Sequence, residues 1–80
     1  MALSWTDLQA LKVLAKAGPL GVTEAIMFAH GFTADILADL VRVGLAMEEP
    51  ETIKAHSQTI KVVRVRITDA GRDALTAAAW

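Results

Sequence analysis

The spacing of apolar and polar positions predicts a first helix over residues 4–17. Its apolar positions recur every three or four residues, at Leu8, Leu11, Leu14 and Ala15. Ser4 and Asp7 predict a capped start, because both side chains can accept from backbone N–H groups of the first turn. Gly18 and Pro19 predict its end, since proline cannot continue the helical hydrogen bonds.

Two shorter helices follow, over residues 23–29 and 33–43. Thr23 and Thr33 each precede a helical segment and are expected to cap it through their hydroxyl groups. Gly31 lies between them, where a sharp turn favours a residue that tolerates positive φ. Four side chains are predicted to form a small core between the two helices: Ile26, Phe32, Leu37 and Leu40.

The period changes after Leu45 from that of helices to that of strands. Residues 46–49 and 52–55 are predicted to form one edge strand that Pro50 interrupts. A polar turn over residues 56–59 leads into residues 60–67, where β-branched side chains alternate. An antiparallel hairpin is expected, with Val63, Val65 and Ile67 facing the helices.

Thr68 is predicted to open a last helix, with Asp69 favourable in its first turn. Ala74, Leu75 and Ala78 are expected to pack inward. We expect Trp5 and Trp80, at the two ends of the chain, to cover the same side of the domain. The elements together predict one α+β domain over residues 1–80.

Composition is consistent with a small protein that folds by apolar packing alone. The 80 residues are 54% hydrophobic and include no cysteine, so a disulfide or thiolate metal site cannot contribute. The N-terminal sequence has no basic region before an apolar one, which argues against a secretory signal. The longest stretch without a formally charged residue, Ala25 to Ala34, is too short to span a membrane. A cytoplasmic location is therefore expected.

Charge is unevenly distributed, although the net charge is only −1. Residues 50–66 contain Lys54, Lys61, Arg64 and Arg66 against the single carboxylate of Glu51. Positive charge is thus concentrated in the predicted hairpin, where a phosphate backbone could bind. An edge hairpin that is charged only to prevent aggregation remains an equal alternative.

The order helix, helix, helix, hairpin, helix resembles a winged helix-turn-helix. The segments VTEAIMFAHGFTADILADLVRVGLA (22–46) and RITDAGRDAL (66–75) are similar to bacterial regulators of the MarR and PadR type. The positions that match are Leu40, Gly44, Leu45, Thr68 and Gly71. Met27 departs from the pattern, because such motifs keep a small residue there. The resemblance implies a two-stranded wing, binding of double-stranded DNA and a role in transcription regulation.

In such domains the second helix of the motif enters the major groove. Residues 33–42 would take that place here, but their outward side chains include Asp35 and Asp39, which phosphates repel. We therefore expect the wing to dominate affinity and the helix to add little specificity. The candidate DNA-binding residues are Thr33, Ala38, Arg42, Lys54, His56, Lys61, Arg64 and Arg66.

The alternative hypothesis is a protein-interaction or dimerisation module on the same scaffold. The candidate self-association residues are Ala10, Val13 and Ala17, an apolar stripe on the first helix, together with Phe28. An enzyme is not expected, because the sequence lacks motifs for catalysis, metal binding or a cofactor. His30 is predicted to be a partly buried, hydrogen-bonded side chain.

Overall fold

The computed structural model describes residues 3–78 and has an α+β architecture with four helices and a three-stranded antiparallel sheet. The helices are α1 (Trp5–Lys16), α2 (Glu24–Ala29), α3 (Ala34–Arg42) and α4 (Asp69–Ala78). The strands are β1 (Val22–Thr23), β2 (Ala46–Ala55) and β3 (Gln58–Ile67). Trp80 lies outside the described residues, whereas Trp5 is 73% exposed.

The helix starts are set by side chains three residues away, as the sequence predicted. Ser4 and Asp7 form a reciprocal capping box, with both hydrogen bonds at 3.1 Å. Thr23 Oγ1 accepts from the backbone N–H of Ile26, and Thr33 Oγ1 accepts from that of Ile36. These three predicted caps are confirmed.

The sheet contains one strand more than the predicted hairpin. The two residues of β1 pair with β3 at Val65 and Arg64, so the strand order is β1-β3-β2. β2 also continues through Pro50, contrary to the predicted interruption. Proline is tolerated there because β2 is an edge strand, so a missing N–H need not remove a hydrogen bond of the ladder.

The hydrophobic core lies between the helices and the inner face of the sheet. Its fully or nearly fully buried side chains are Ala10, Leu11, Leu14, Met27, Phe32, Leu37, Leu40, Ala46, Val65 and Ile67. Ile26 was wrongly predicted to belong to it, since that side chain is 45% exposed and Met27 is buried instead. The cause is that α2 is apolar at nearly every position, so its sequence does not indicate which face is buried.

The last helix is attached to the segment between α3 and β2. Thr68 Oγ1 donates to the Gly44 carbonyl at 2.6 Å and accepts from the Gly71 N–H, which makes Thr68 the start of α4. Leu75 packs against the core from a half-buried position, whereas Ala78 is exposed, contrary to its prediction. These contacts hold α4 against the base of the hairpin.

Candidate nucleic-acid interface

The β2–β3 hairpin extends beyond the helices. The described chain measures 48 × 21 × 19 Å, and the residues from Glu51 to Lys61 are exposed except for the half-buried Ala55. Residues at the base of the hairpin, such as Val65 and Ala46, are buried against the helices. The part beyond them, residues 51–61, is here called the distal hairpin. Its side chains are available to a partner molecule.

The two arginines of β3 form ion pairs with carboxylates of β2. Arg64 Nε lies 2.7 Å from Glu51 Oε2, and the Arg66 guanidinium pairs with Glu49. Each arginine reaches a carboxylate two positions closer to the tip than its own cross-strand neighbour, a diagonal contact typical of antiparallel strands. Much of the positive charge expected from Arg64 and Arg66 is therefore neutralised within the sheet.

Lys54 and Lys61 have a different environment. Lys54 is paired in register with Thr59, and Lys61 with Thr52, which places the two lysines diagonally on the same face of the hairpin. Such diagonal neighbours are about 7–8 Å apart. Among residues 3–78, no carboxylate lies within 4.0 Å of either ammonium group. Both lysines are exposed and can bind a phosphate without first breaking an ion pair.

His56 lies at the tip, in the two-residue turn between Ala55 and Gln58. Its φ is +58°, and within residues 3–78 no other non-glycine residue has a positive φ. A side chain in this region costs about 1–2 kcal/mol relative to ordinary backbone conformations. Two-residue hairpin turns place a positive φ at their first central residue, so the turn itself accounts for this conformation.

The outward face of α3 is not basic. Arg42 donates to Asp39 at 2.8 Å, and both side chains are exposed, at 73% and 62%. Asp35 and Ala38 are exposed on the same helix, and Thr33 is occupied as its N-cap. A phosphate approaching α3 would therefore meet one neutral ion pair and the carboxylate of Asp35, which has no ion-pair partner among residues 3–78. Affinity for nucleic acid is not favoured on this face.

The predicted self-association stripe on α1 is only partly on the surface. Ala10 is completely buried in the core, so it cannot contact a second subunit, and this assignment was wrong. Val13 and Ala17 are half-buried, and Val13 packs against the core. Phe28 is 43% exposed, as expected, and lines a groove of about 250 Å³ between α2 and β3.

Two further predictions concern His30 and possible metal binding. The His30 side chain is exposed rather than partly buried, and the centroid of its ring lies 6.4 Å from that of the Phe32 ring.

Within residues 3–78 no group of three His, Cys, Asp or Glu side chains is arranged to hold a metal ion. In that same part of the chain, no helix has the length and apolar character needed to cross a membrane.

Sequence reasoning missed two features of the hairpin. It did not assign Glu49 to an ion pair, because Glu49 precedes the basic segment of residues 50–66. It also did not identify the exposed pair formed by Ile53 and Ile60, which lie directly opposite each other. A two-residue turn at His56-Ser57 would have given this register from the sequence.

Comparisons with known proteins gave no match. No model of a protein family matches this sequence, and no curated protein or solved structure matches it either.

Proposed function

We propose that this chain is a winged-helix domain that binds duplex DNA in transcription regulation, with the distal hairpin as its phosphate-binding element. The element order supports a winged helix, with α2 and α3 as the helix-turn-helix and β2–β3 as the wing. The proposal places the protein in the cytoplasm, as for the bacterial regulators it resembles.

The observation that carries this proposal is the charge of the distal hairpin. From Thr52 to Ile67 the chain has no acidic residue, and the exposed Lys54 and Lys61 share one face beside His56. A projecting basic hairpin can follow a phosphate backbone or enter a minor groove. The neutralised arginines at its base then hold the two strands together.

The number of available cations sets the expected salt dependence. Two lysines that neutralise two phosphates predict a slope of log K against log[salt] near −1.8, from about 0.9 per phosphate. Affinity should then fall about tenfold between roughly 50 and 200 mM salt. Four phosphates, as the sequence alone suggested, would double the slope to about −3.6.

The test is a titration of labelled random-sequence duplex DNA, followed by fluorescence anisotropy at several salt concentrations. Lys54→Gln/Lys61→Gln should abolish most of the salt dependence and weaken binding at low salt. Lys12→Gln/Lys16→Gln removes the same charge from α1 and should leave the slope unchanged. Absence of binding by the wild-type protein at low salt would refute the proposal.

A second variant separates the lysines from the arginines. Arg64→Gln/Glu51→Gln removes one whole ion pair without changing the net charge. We expect DNA affinity within about twofold of wild type, because the pair is already neutral. A loss of tenfold or more would show that Arg64 itself contacts phosphate and would overturn the assignment to the lysines.

A further inference from the structure

The apolar and polar faces of the hairpin exchange sides along its length. Near the helices, the inner face carries the buried Ala46, Val65 and Ile67, and the outer face carries the two Arg–Glu pairs. In the distal hairpin the inner face is polar, with Thr52, Lys54, Thr59 and Lys61. Its outer face there is mainly apolar, with Ile53, Ala55 and Ile60 beside Gln58, and with Glu51 at the boundary to the ion pairs.

The two isoleucines of this outer face are only partly covered by the described chain. Ile53 is 40% exposed and Ile60 is 45% exposed, and they form a direct cross-strand pair. Met47 is 44% exposed on the same face, and Leu20, which is 72% exposed, lies beside Glu51 and Arg64 of that face. An antiparallel sheet normally presents polar side chains to water on its open face. The distal hairpin does the reverse, which indicates a partner molecule.

We propose that a second copy of this chain covers this outer face, related by a two-fold axis parallel to the strands. That axis turns the two outer faces toward each other and keeps both tips at the same end. It also places β2 of one copy over β3 of the other at the same level. Ile53 then lies over the partner's Ile60, and Glu49 over the partner's Arg64.

Charge complementarity favours this arrangement over the alternatives. A two-fold axis perpendicular to the strands, with the two hairpins overlapping along their whole length, would put the isoleucines of one copy over the ion pairs of the other. The hydrocarbon region of a lipid surface would have to dehydrate the two Arg–Glu pairs without offering a partner group. In the parallel arrangement, Ile53 faces the partner's Ile60 and Glu49 faces the partner's Arg64, while Glu51 lies over Val62 and Arg66 over Met47. The isoleucine pair and the Glu49–Arg64 level are therefore self-complementary, as a two-fold interface requires.

The size of this face predicts a weak, reversible dimer. β2 has ten residues, so it is about 34 Å long at roughly 3.4 Å per residue. With two strands about 4.8 Å apart, each copy buries roughly 330 Å², or about 650 Å² in total. This area lies below the roughly 1,200 Å² of stable interfaces, so a dimer that dissociates on dilution is expected.

The dimer leaves the proposed DNA contacts accessible, although it does not depend on them. Lys54 and Lys61 belong to the inner face, which points away from the second copy. Failure of DNA binding would therefore not affect this inference, and a monomeric protein could still bind DNA.

Sedimentation equilibrium over a range of protein concentrations tests the proposal. Wild type should show reversible dimerisation, and Ile53→Lys/Ile60→Lys should weaken it at least tenfold. The matched control, Ile26→Lys/Phe28→Lys, adds the same charge at exposed apolar positions of α2 and should not weaken it. A monomer at all concentrations, or equal loss in both variants, would overturn the proposal. A protein that binds anionic vesicles but does not self-associate in solution would also overturn it.

A charge exchange tests the orientation without removing any apolar group. The variant Glu49→Arg/Glu51→Arg/Arg64→Glu/Arg66→Glu exchanges the charges of β2 and β3 and preserves the net charge. It should dimerise with itself about as well as wild type does. Mixed with labelled wild type, it should form few mixed dimers, because like charges would face each other. Free mixing of the two proteins would contradict the two-fold arrangement, and circular dichroism would verify that the variant is folded.

Discussion

Replacement of Gly71 by alanine sets helix propensity against packing. Alanine in a helix is favoured over glycine by about 1 kcal/mol, so propensity alone predicts a more stable protein. In the structure, however, a Cβ at position 71 would lie 2.2 Å from the Leu45 carbonyl oxygen and 2.6 Å from Ile67 Cγ1. Ordinary contact begins at 3.4 Å, so α4 would have to move by about 1 Å.

Neither the Leu45 carbonyl group nor the Ile67 side chain can move easily away from position 71. The Leu45 carbonyl accepts from the Thr68 N–H at 3.1 Å, and Ile67 is only 7% exposed within the core. Overpacking of this kind costs about 1–3 kcal/mol, and weakening the Thr68 hydrogen bond adds about 1 kcal/mol. After the gain in propensity, we expect Gly71→Ala to destabilise the domain by roughly 2 kcal/mol.

Urea denaturation followed by far-ultraviolet circular dichroism measures this change. For a domain of this size, roughly 2 kcal/mol also corresponds to a decrease in Tm of about 8–16 °C. The control is Ala70→Gly, which makes the opposite exchange at the exposed neighbouring position and should cost about 0.5–1 kcal/mol. A Gly71→Ala protein as stable as wild type, or more stable, would refute the close approach of α4 to Leu45.

Two other substitutions test the core and the hairpin turn. Met27→Ala should lower the free energy of unfolding by about 2–4 kcal/mol, because the Met27 side chain is completely buried. Ile26→Ala should lower it by less than about 1 kcal/mol, because Ile26 is exposed. Urea denaturation of both proteins measures the two losses, and equal losses would contradict the assignment of the buried face of α2. The φ of His56 is positive, which glycine adopts freely and a β-branched residue does not. His56→Gly should therefore leave the free energy of unfolding unchanged or raise it by up to about 1 kcal/mol. His56→Val should lower it by at least about 1 kcal/mol. Thermal unfolding of the two proteins compares them, and a more stable valine variant would be inconsistent with this turn.

The charge of the hairpin shows why the candidate site was only partly predictable. The basic segment was evident from the sequence, and Lys54 and Lys61 remain available in the structure. Whether an arginine is available depends on its neighbours across the sheet. Arg64 meets a carboxylate 13 residues away and Arg66 one 17 residues away, and these pairings follow from strand register.

The sequence by itself determined the features that depend on nearby residues. The caps at Ser4, Thr23 and Thr33 each use a backbone group three residues away, so the helix starts were predictable to within a residue or two. The hairpin was evident because alternation with period two is a property of the strand itself. Local hydrogen bonds and periodicity do not require knowledge of the rest of the fold.

Only the tertiary structure decided which of several equivalent local choices was used. It buried Met27 rather than Ile26, added β1 to the sheet, and brought α4 so close to Leu45 that position 71 accommodates only glycine. It also left Ile53 and Ile60 together on a face that is only partly covered. Each outcome depends on contacts between residues distant in the chain, where packing and register outweigh local preference.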